Sequence, residues 1–257
     1  MPLNGTAMNG ASPFSFDMSY CGSPPTAGEL WSRWNTDPVL LGALLLVAVA
    51  GAWTLRRADA QRQWSFAGAW LLAAILFVSP ICALTVALFS ARVAHHATLA
   101  MVLAPLLALS LPRRWGAALP LGALLTLSTI AFWFWHAPDF YMSAFSHPVL
   151  YWAMQLSIIG SFTALWLGLL RGPTLATGVV ALLSATQMGL LGALLVFASE
   201  PLYLPHATTT LAFGLLPIDD QQLGGLIMWV PANLPLLVLV LWRLLSLLGP
   251  AREIRDQ

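Results

Sequence analysis

The chain has no lysine and very little charge. All eleven basic residues are arginine, and 8% of the 257 residues are charged, against roughly 25% in a soluble domain. The missing lysine excludes a seven-helix retinal protein, whose chromophore needs a lysine for its Schiff base. Two cysteines, Cys21 and Cys82, are too few for a disulfide framework. The net charge of +1 says little about partners, and we expect no nucleic acid among them.

The sequence is rich in long hydrophobic segments. Hydrophobic residues make up 59% of it, in successive runs of about twenty that are typical of membrane helices. We predict an all-α, polytopic membrane helix bundle with seven transmembrane helices. The spans run over 38–55, 64–88, 92–111, 115–136, 147–170, 175–199 and 222–247. We expect a kink at Ser79-Pro80, and bends at Pro105 and Pro120 in the third and fourth spans.

Three regions follow from these spans: an extracytoplasmic arm over 1–37, a membrane domain over 38–248 and a tail over 249–257. The arm lacks the basic start and apolar core of a signal peptide. Its Met18 and Cys21 could form a mobile copper-loading tip or belong to an unstructured tail.

Arginine placement predicts the orientation. The loops after the first, third and fifth spans and the C-terminal end carry nine of the eleven arginines. Positive charge concentrates on the cytoplasmic side of membrane proteins, so we expect the N-terminus outside and the C-terminus inside. The outer side keeps Arg33 and Arg92.

All five histidines then fall at or near the outer side, although the orientation was assigned without them. His95 and His96 lie one turn into the third span, and His136 ends the fourth. His147 opens the fifth span, and His206 lies in the loop before the seventh. Because His95 and His96 are about 100° apart on a helix, we expect one to face the bundle and the other the lipid interface.

Neutral imidazole is the commonest metal ligand and suits copper or zinc, whereas thioethers select Cu(I). We therefore predict a transient Cu(I) site at the outer face, with zinc as the alternative metal. Its candidate ligands are His96, His136, His95, His147, Met142 and His206. Asp139, Asp220 and Gln221 are candidates to orient the imidazoles. Each also has a structural interpretation, such as an interfacial anchor, a helix start or core packing.

Cys82 and a pair of glycines can be explained by helix packing alone. Cys82, in the outer third of the second span, is either a soft ligand or a small apolar filler. Gly224 and Gly225, at the entry to the seventh span, would let a neighbouring helix approach closely.

Three stretches resemble a known family. They are Phe89–His96 with the following Ala104-Pro105-Leu106-Leu107, then Trp135–Tyr141, and most specifically Asp220–Trp229. They are similar to the histidine-bearing, Trp-His-x-Pro and Asp-Gln motifs of the CtaG-type cytochrome c oxidase assembly factors. The resemblance extends over roughly residues 38–248. Two positions depart from it: Arg92 stands where the family pattern has a histidine, and the Met154-Gln155 region stands where it has an acid–histidine pair.

The resemblance implies a multi-pass protein of the bacterial inner membrane that is not an enzyme and that matures a haem–copper oxidase. It implies copper delivery from the outer side, with oxidase subunits as partners. A periplasmic copper chaperone and a homodimer with a shared site are further possible partners. Two other classes stay open: a copper-uptake permease, which needs a ligand path across the membrane, and a haem-binding redox protein.

Overall fold

The computed structural model describes residues 19–112, 115 and 120–248, and this part of the chain is helical, without strands. Eleven α-helices are α1 (Pro38–Leu55), α2 (Ala60–Val78), α3 (Ile81–Ala87), α4 (Phe89–Thr98), α5 (Ala104–Ser110), α6 (Leu121–His136), α7 (Pro138–Ser146), α8 (Pro148–Arg171), α9 (Thr174–Phe197), α10 (Pro217–Trp229) and α11 (Leu234–Leu248). A π-helical turn, Leu99–Leu103, joins α4 to α5.

Length and apolar composition make five of these segments candidate membrane spans: Pro38–Leu55, Phe89–Ser110, Pro148–Arg171, Thr174–Phe197 and Pro217–Leu248. The bent pair α2 and α3 adds a sixth when it is counted as one span. Helix α6 is apolar but has only 16 residues, fewer than the roughly twenty that cross a bilayer without thinning it. The predicted multi-pass helical architecture is confirmed.

Proline positions explain most of the breaks. The predicted kink at Ser79-Pro80 is confirmed, because α2 and α3 meet there at 50°. Pro105 follows the π-helical turn, where its missing N–H leaves an earlier carbonyl without its usual α-helical partner. The bend expected inside the fourth span at Pro120 was wrong. Pro120 has extended backbone and precedes α6, because a residue without an N–H is best placed before a helix or in its first turn.

Close helix packing at α10 depends on its paired glycines. A Cβ on Gly225 would lie 2.7 Å from the carbonyl oxygen of Gly192 in α9, and one on Gly224 would lie 2.8 Å from the Phe89 ring. Real Cβ atoms essentially never come this close. The predicted close approach is confirmed, and α10 is held between α9 and α4.

One end of the bundle is closed by arginines that bind helix carbonyls. Arg171 donates to the carbonyl oxygens of Ala108 and Leu111 at the end of α5, over 2.8 and 3.1 Å. Arg62 donates to the Ser110 carbonyl over 2.9 Å. Guanidinium groups suit this position, because the C-terminal end of a helix carries partial negative charge.

The opposite end carries the N-terminal arm, which is bonded to the bundle. Cys21 and Cys82 form a disulfide with their Cα atoms 5.5 Å apart. This corrects the assignment of Cys82 as a ligand or filler and of Cys21 as part of a mobile tip. A pairing across 61 residues cannot be deduced from spacing. Met18 lies outside the described residues.

Tyr20 fixes the arm next to this disulfide. Its ring stacks on Tyr151 with the centroids 4.8 Å apart, and its hydroxyl donates to Asp37 over 2.6 Å. That hydrogen bond lowers the pKa of the Asp37 carboxyl. Asp37 also accepts from the Val39 amide over 2.8 Å and so caps α1.

Candidate functional site

The site begins with the way α4 is capped. Asp220, fully buried on α10, accepts from the Phe89 amide over 2.6 Å and from the Ser90 amide over 3.2 Å. The Ser90 hydroxyl also donates to it. The predicted role of Asp220 was to orient an imidazole, but the bonds it makes are to the first turn of α4. It stabilises the free amides and positive end of that helix, and thereby positions the two histidines further along it.

His96 and His136, the two leading ligand candidates, are brought together. Their ring centroids are 6.2 Å apart, and each side chain is 7% exposed. Nδ1 of His136 lies 2.7 Å from the Phe132 carbonyl oxygen. A carbonyl only accepts, so Nδ1–H donates and a neutral ring keeps its lone pair on Nε2. Nε2 of His96 is buried and has no hydrogen-bond partner among the described residues.

Both rings line one small cavity of about 20 Å³. That is enough for roughly one water molecule or ion. The other lining residues are apolar or carry sulfur: Val93, Ala97, Ala100, Phe132, Ile158, Phe162, Met188 and Met228. The π-helical turn supplies Ala100, whose carbonyl oxygen accepts from the Trp166 indole over 2.9 Å. Such turns are frequent at functional sites.

His95 points elsewhere but is not at a lipid interface, which corrects that expectation. It is 2% exposed and packs edge-to-face against Phe77, with the ring centroids 5.1 Å apart. As expected, the rotation of about 100° between successive helix residues turns the His95 side chain away from the cavity that His96 lines. Helix α2, which carries Phe77, packs over this side chain and shields it from the surroundings of the bundle. Neither of its ring nitrogens has a hydrogen-bond partner within the part of the chain that the structure describes.

His206 belongs to a cluster of packed rings, the aromatic cover, which it forms with Phe89, Tyr141 and Tyr203. The Tyr141 hydroxyl lies 2.6 Å from Nε2 of His206, and Tyr203 donates to the His136 carbonyl over 2.8 Å. Tyr203 also stacks on Phe89 at 4.2 Å. Burial lowers the pKa of His206 to about 3 and raises that of Tyr141 to about 12. Both groups are therefore neutral at physiological pH.

Three other predicted residues do not line the cavity. His147 is exposed at the N-cap of α8, Asp139 is exposed in the first turn of α7, and Met142 is half-buried on the same helix. Within residues 19–112, 115 and 120–248, no group of three His, Cys, Asp or Glu side chains is arranged to hold a metal.

Gln221 has a bracing role. Its side-chain oxygen accepts from the Leu202 amide over 2.7 Å, and its amide donates to the Leu195 and Glu200 carbonyls over 3.4 Å. These bonds attach α10 to the end of α9 and to the loop that carries the aromatic cover. Its described partners are backbone groups, and like those of Asp220 they include no imidazole.

Arg92, which departs from the family pattern, is 2% exposed. Its guanidinium lies 5.0 Å from the Phe145 ring, 5.1 Å from the Tyr141 ring and 5.9 Å from the Tyr151 ring. These distances allow cation–π attraction. No hydrogen-bond acceptor for its three nitrogens occurs among the described residues. Gln155, the other departure, is also buried and its side-chain oxygen is similarly unpaired.

The sequence interpretation missed Met188 as a ligand candidate and did not consider Met228. Met188 lies in the middle of α9, where methionine is ordinary packing. Met228 falls within the Asp220–Trp229 stretch, eight residues or about two helical turns after Asp220. That spacing gave no signal, because eight residues turn an α-helix about 80° beyond two full turns.

The fold and site define a multi-pass membrane helix bundle with a buried histidine pair under an aromatic cover. The family model of the cytochrome c oxidase caa3 assembly factors matches residues 46–249, and the chain belongs to this family. No curated protein and no solved structure matches the chain.

Proposed function

We propose that this cytochrome c oxidase assembly factor binds a copper ion between His96 and His136 and passes it to a nascent oxidase subunit at the outer membrane face. Membership of the assembly-factor family supports the oxidase as partner. The proposed role is ion transfer, without catalysis. Copper is the cargo, and zinc is the alternative metal.

The observation that carries this proposal is the convergence of two buried imidazoles on one cavity. A metal bound about 2.0–2.1 Å from an imidazole nitrogen lies roughly 3 Å from the ring centre. Two centroids 6.2 Å apart are therefore spaced to hold one ion between them. The Phe132 carbonyl fixes the tautomer of His136, as is usual for metal-bound histidine.

The sidedness of the bundle supports delivery from outside. We count α6 as the seventh span, so that the histidine end and the arginine end face opposite sides. The arginine end suits the cytoplasm of a bacterial inner membrane. The disulfide at the histidine end suits the oxidising periplasm. Two independent chemical preferences thus favour the same orientation, with the N-terminus outside.

The cavity favours an ion over haem. A bis-histidine haem would also place iron between two imidazoles. However, the space between these rings is about 20 Å³, whereas pockets for small molecules measure about 300–1,000 Å³. A copper permease needs further ligands towards the cytoplasm, whereas the proposed orientation puts the described pair in the outer half of the bundle.

Copper stoichiometry tests the proposal. Purified wild-type protein, His96→Ala and His136→Ala are loaded with Cu(I) and washed, and bound copper is measured per chain. We expect a single ion in the wild type and its loss in both variants, because each removes one of two imidazole ligands. Oxidase activity in cells that carry only the variant should fall in parallel.

His147→Ala is the matched control, because His147 is exposed at the end of α8 and away from the cavity. It should keep both copper and oxidase activity. Full copper binding and full oxidase activity in both cavity variants would contradict the proposed site.

A further inference from the structure

Two methionines complete the lining of the histidine cavity. Met188 comes from α9 and Met228 from α10, and they are 4% and 3% exposed. With His96 on α4 and His136 on α6, four different helices each bring one nitrogen- or sulfur-bearing side chain to the same cavity. The remaining lining side chains are hydrocarbon.

The helices that carry these four side chains are held in register near the cavity. The Trp133 indole on α6 donates to the Gln187 side chain on α9 over 2.9 Å, next to Met188. The close contact of Gly192 with Gly225 lies four residues after Met188 and three before Met228, about one turn from each. The packing that brings α9 and α10 together therefore also brings the two thioethers to one place.

The chemistry of this lining selects among metal ions. Imidazole and thioether are neutral, and among the described residues no carboxylate or thiolate lines the cavity. Burying charge in an apolar interior is costly, so a neutral ligand set favours a monovalent ion over a divalent one. Thioethers select soft ions such as Cu(I). Zn²⁺ instead is commonly bound by thiolates, carboxylates or a larger set of histidines.

We propose that Met188 and Met228 are thioether ligands which, with His96 and His136, make the cavity selective for Cu(I) over divalent ions. This inference rests on the proposed copper-handling function and adds two ligands to its site. It also explains the buried, unpartnered Nε2 of His96. A buried polar group that is left without a partner destabilises the fold, and a bound ion would satisfy it.

Leucine replacements test the thioethers while keeping the side-chain volume. Wild type, Met188→Leu, Met228→Leu and the double variant are titrated with Cu(I) against a chromophoric Cu(I) chelator, and separately with Zn²⁺. We expect each single variant to bind Cu(I) at least about tenfold more weakly. Removing a residue that merely supports a metal ligand already lowers metal affinity by about that factor, so removing a ligand should cost no less. Zn²⁺ binding should change little.

X-ray absorption of the Cu(I)-loaded protein supplies a readout that does not depend on affinity. The wild type should show copper–sulfur as well as copper–nitrogen scattering, and the double variant should lose the sulfur component. Met101→Leu is the control, because Met101 is equally buried in the π-helical turn but does not line the cavity. It should retain both components.

The outcomes separate the two proposals. A wild-type protein that binds Cu(I) through nitrogen alone, with both leucine variants unchanged, overturns the methionine assignment and leaves copper handling in place. A wild-type protein that binds no Cu(I) overturns the proposed function and the methionine ligands with it.

Discussion

At the scale of single residues, the histidine-bearing end of the bundle depends on Asp220. Its carboxylate accepts two amide hydrogens and a hydroxyl from the first turn of α4. Such charge-assisted bonds are stronger than neutral ones, and they supply a cap that Leu88, at the N-cap of α4, has no side-chain group to provide. Asp220 thus acts on the cavity that His96 and His136 line, through the helix that carries His96.

Replacing this carboxylate should weaken the fold more than the site chemistry. In Asp220→Asn the amide places an N–H₂ group where two backbone N–H groups need acceptors. We expect a loss of about 1–3 kcal/mol in stability, measured by thermal or denaturant unfolding in detergent, and weaker copper binding as a consequence. Asp219→Asn is the control, because Asp219 is exposed and should change stability by less than about 0.5 kcal/mol. Equal effects of the two would show that the cap is unimportant.

At the scale of helices, the glycine contact between α9 and α10 sets the spacing of the cavity walls. The carbonyl oxygen of Gly192 occupies the place where a side chain on Gly225 would begin. Backbone atoms cannot move aside as a flexible side chain can. A larger residue at either position must push α10 away from α9, and Met228 moves with α10.

Gly225→Ala should therefore destabilise the protein by about 1–3 kcal/mol through overpacking and weaken Cu(I) binding. Gly160→Ala on α8 is the matched control. Gly160 is exposed and a Cβ there meets nothing within 4 Å, so alanine should gain up to about 1 kcal/mol from helix propensity. Unfolding midpoints of the two variants should shift in opposite directions. A Gly225→Ala protein as stable as the wild type would contradict the role of this contact.

The helices also show what the sequence could and could not predict. The break at Ser79-Pro80 was predictable because proline lacks an N–H wherever it occurs. The grouping of His96 with His136 followed from alternating spans, which place the outer ends of the third and fourth together. The π-helical turn and the burial of His95 were missed, because both depend on the neighbours that pack against α4.

Side chains whose role depends on distant partners were the least predictable. Met188 resembles any core methionine until α10 brings Met228 to the same cavity. From the sequence, Asp220 at the start of α10 could stabilise the N-terminus of its own helix or orient an imidazole. It instead caps a helix some 130 residues earlier in the chain. Local pattern carries no information about such contacts.

At the scale of the whole molecule, the proposal depends on which side of the membrane each end faces. The arm is attached to α3 by the Cys21–Cys82 disulfide, and Sγ of Cys21 lies 3.7 Å from the Tyr151 hydroxyl. The other end holds the arginines that bind the α5 and α8 carbonyls. A disulfide is kept oxidised in the periplasm and reduced in the cytosol, so the reverse orientation would open the arm and place the cavity away from the periplasm.

Cysteine labelling in intact cells tests this orientation. Thr208→Cys lies exposed in the loop of the aromatic cover, and Ala60→Cys lies exposed at the start of α2 near the arginine end. We expect a membrane-impermeant maleimide to label Thr208→Cys in cells with a permeabilised outer membrane, and Ala60→Cys only after lysis. The unmodified chain should remain unlabelled until a reductant is added, because its two thiols are paired. Labelling of Ala60→Cys but not Thr208→Cys before lysis would place the histidine pair on the cytoplasmic side, where copper delivery from the periplasm is impossible.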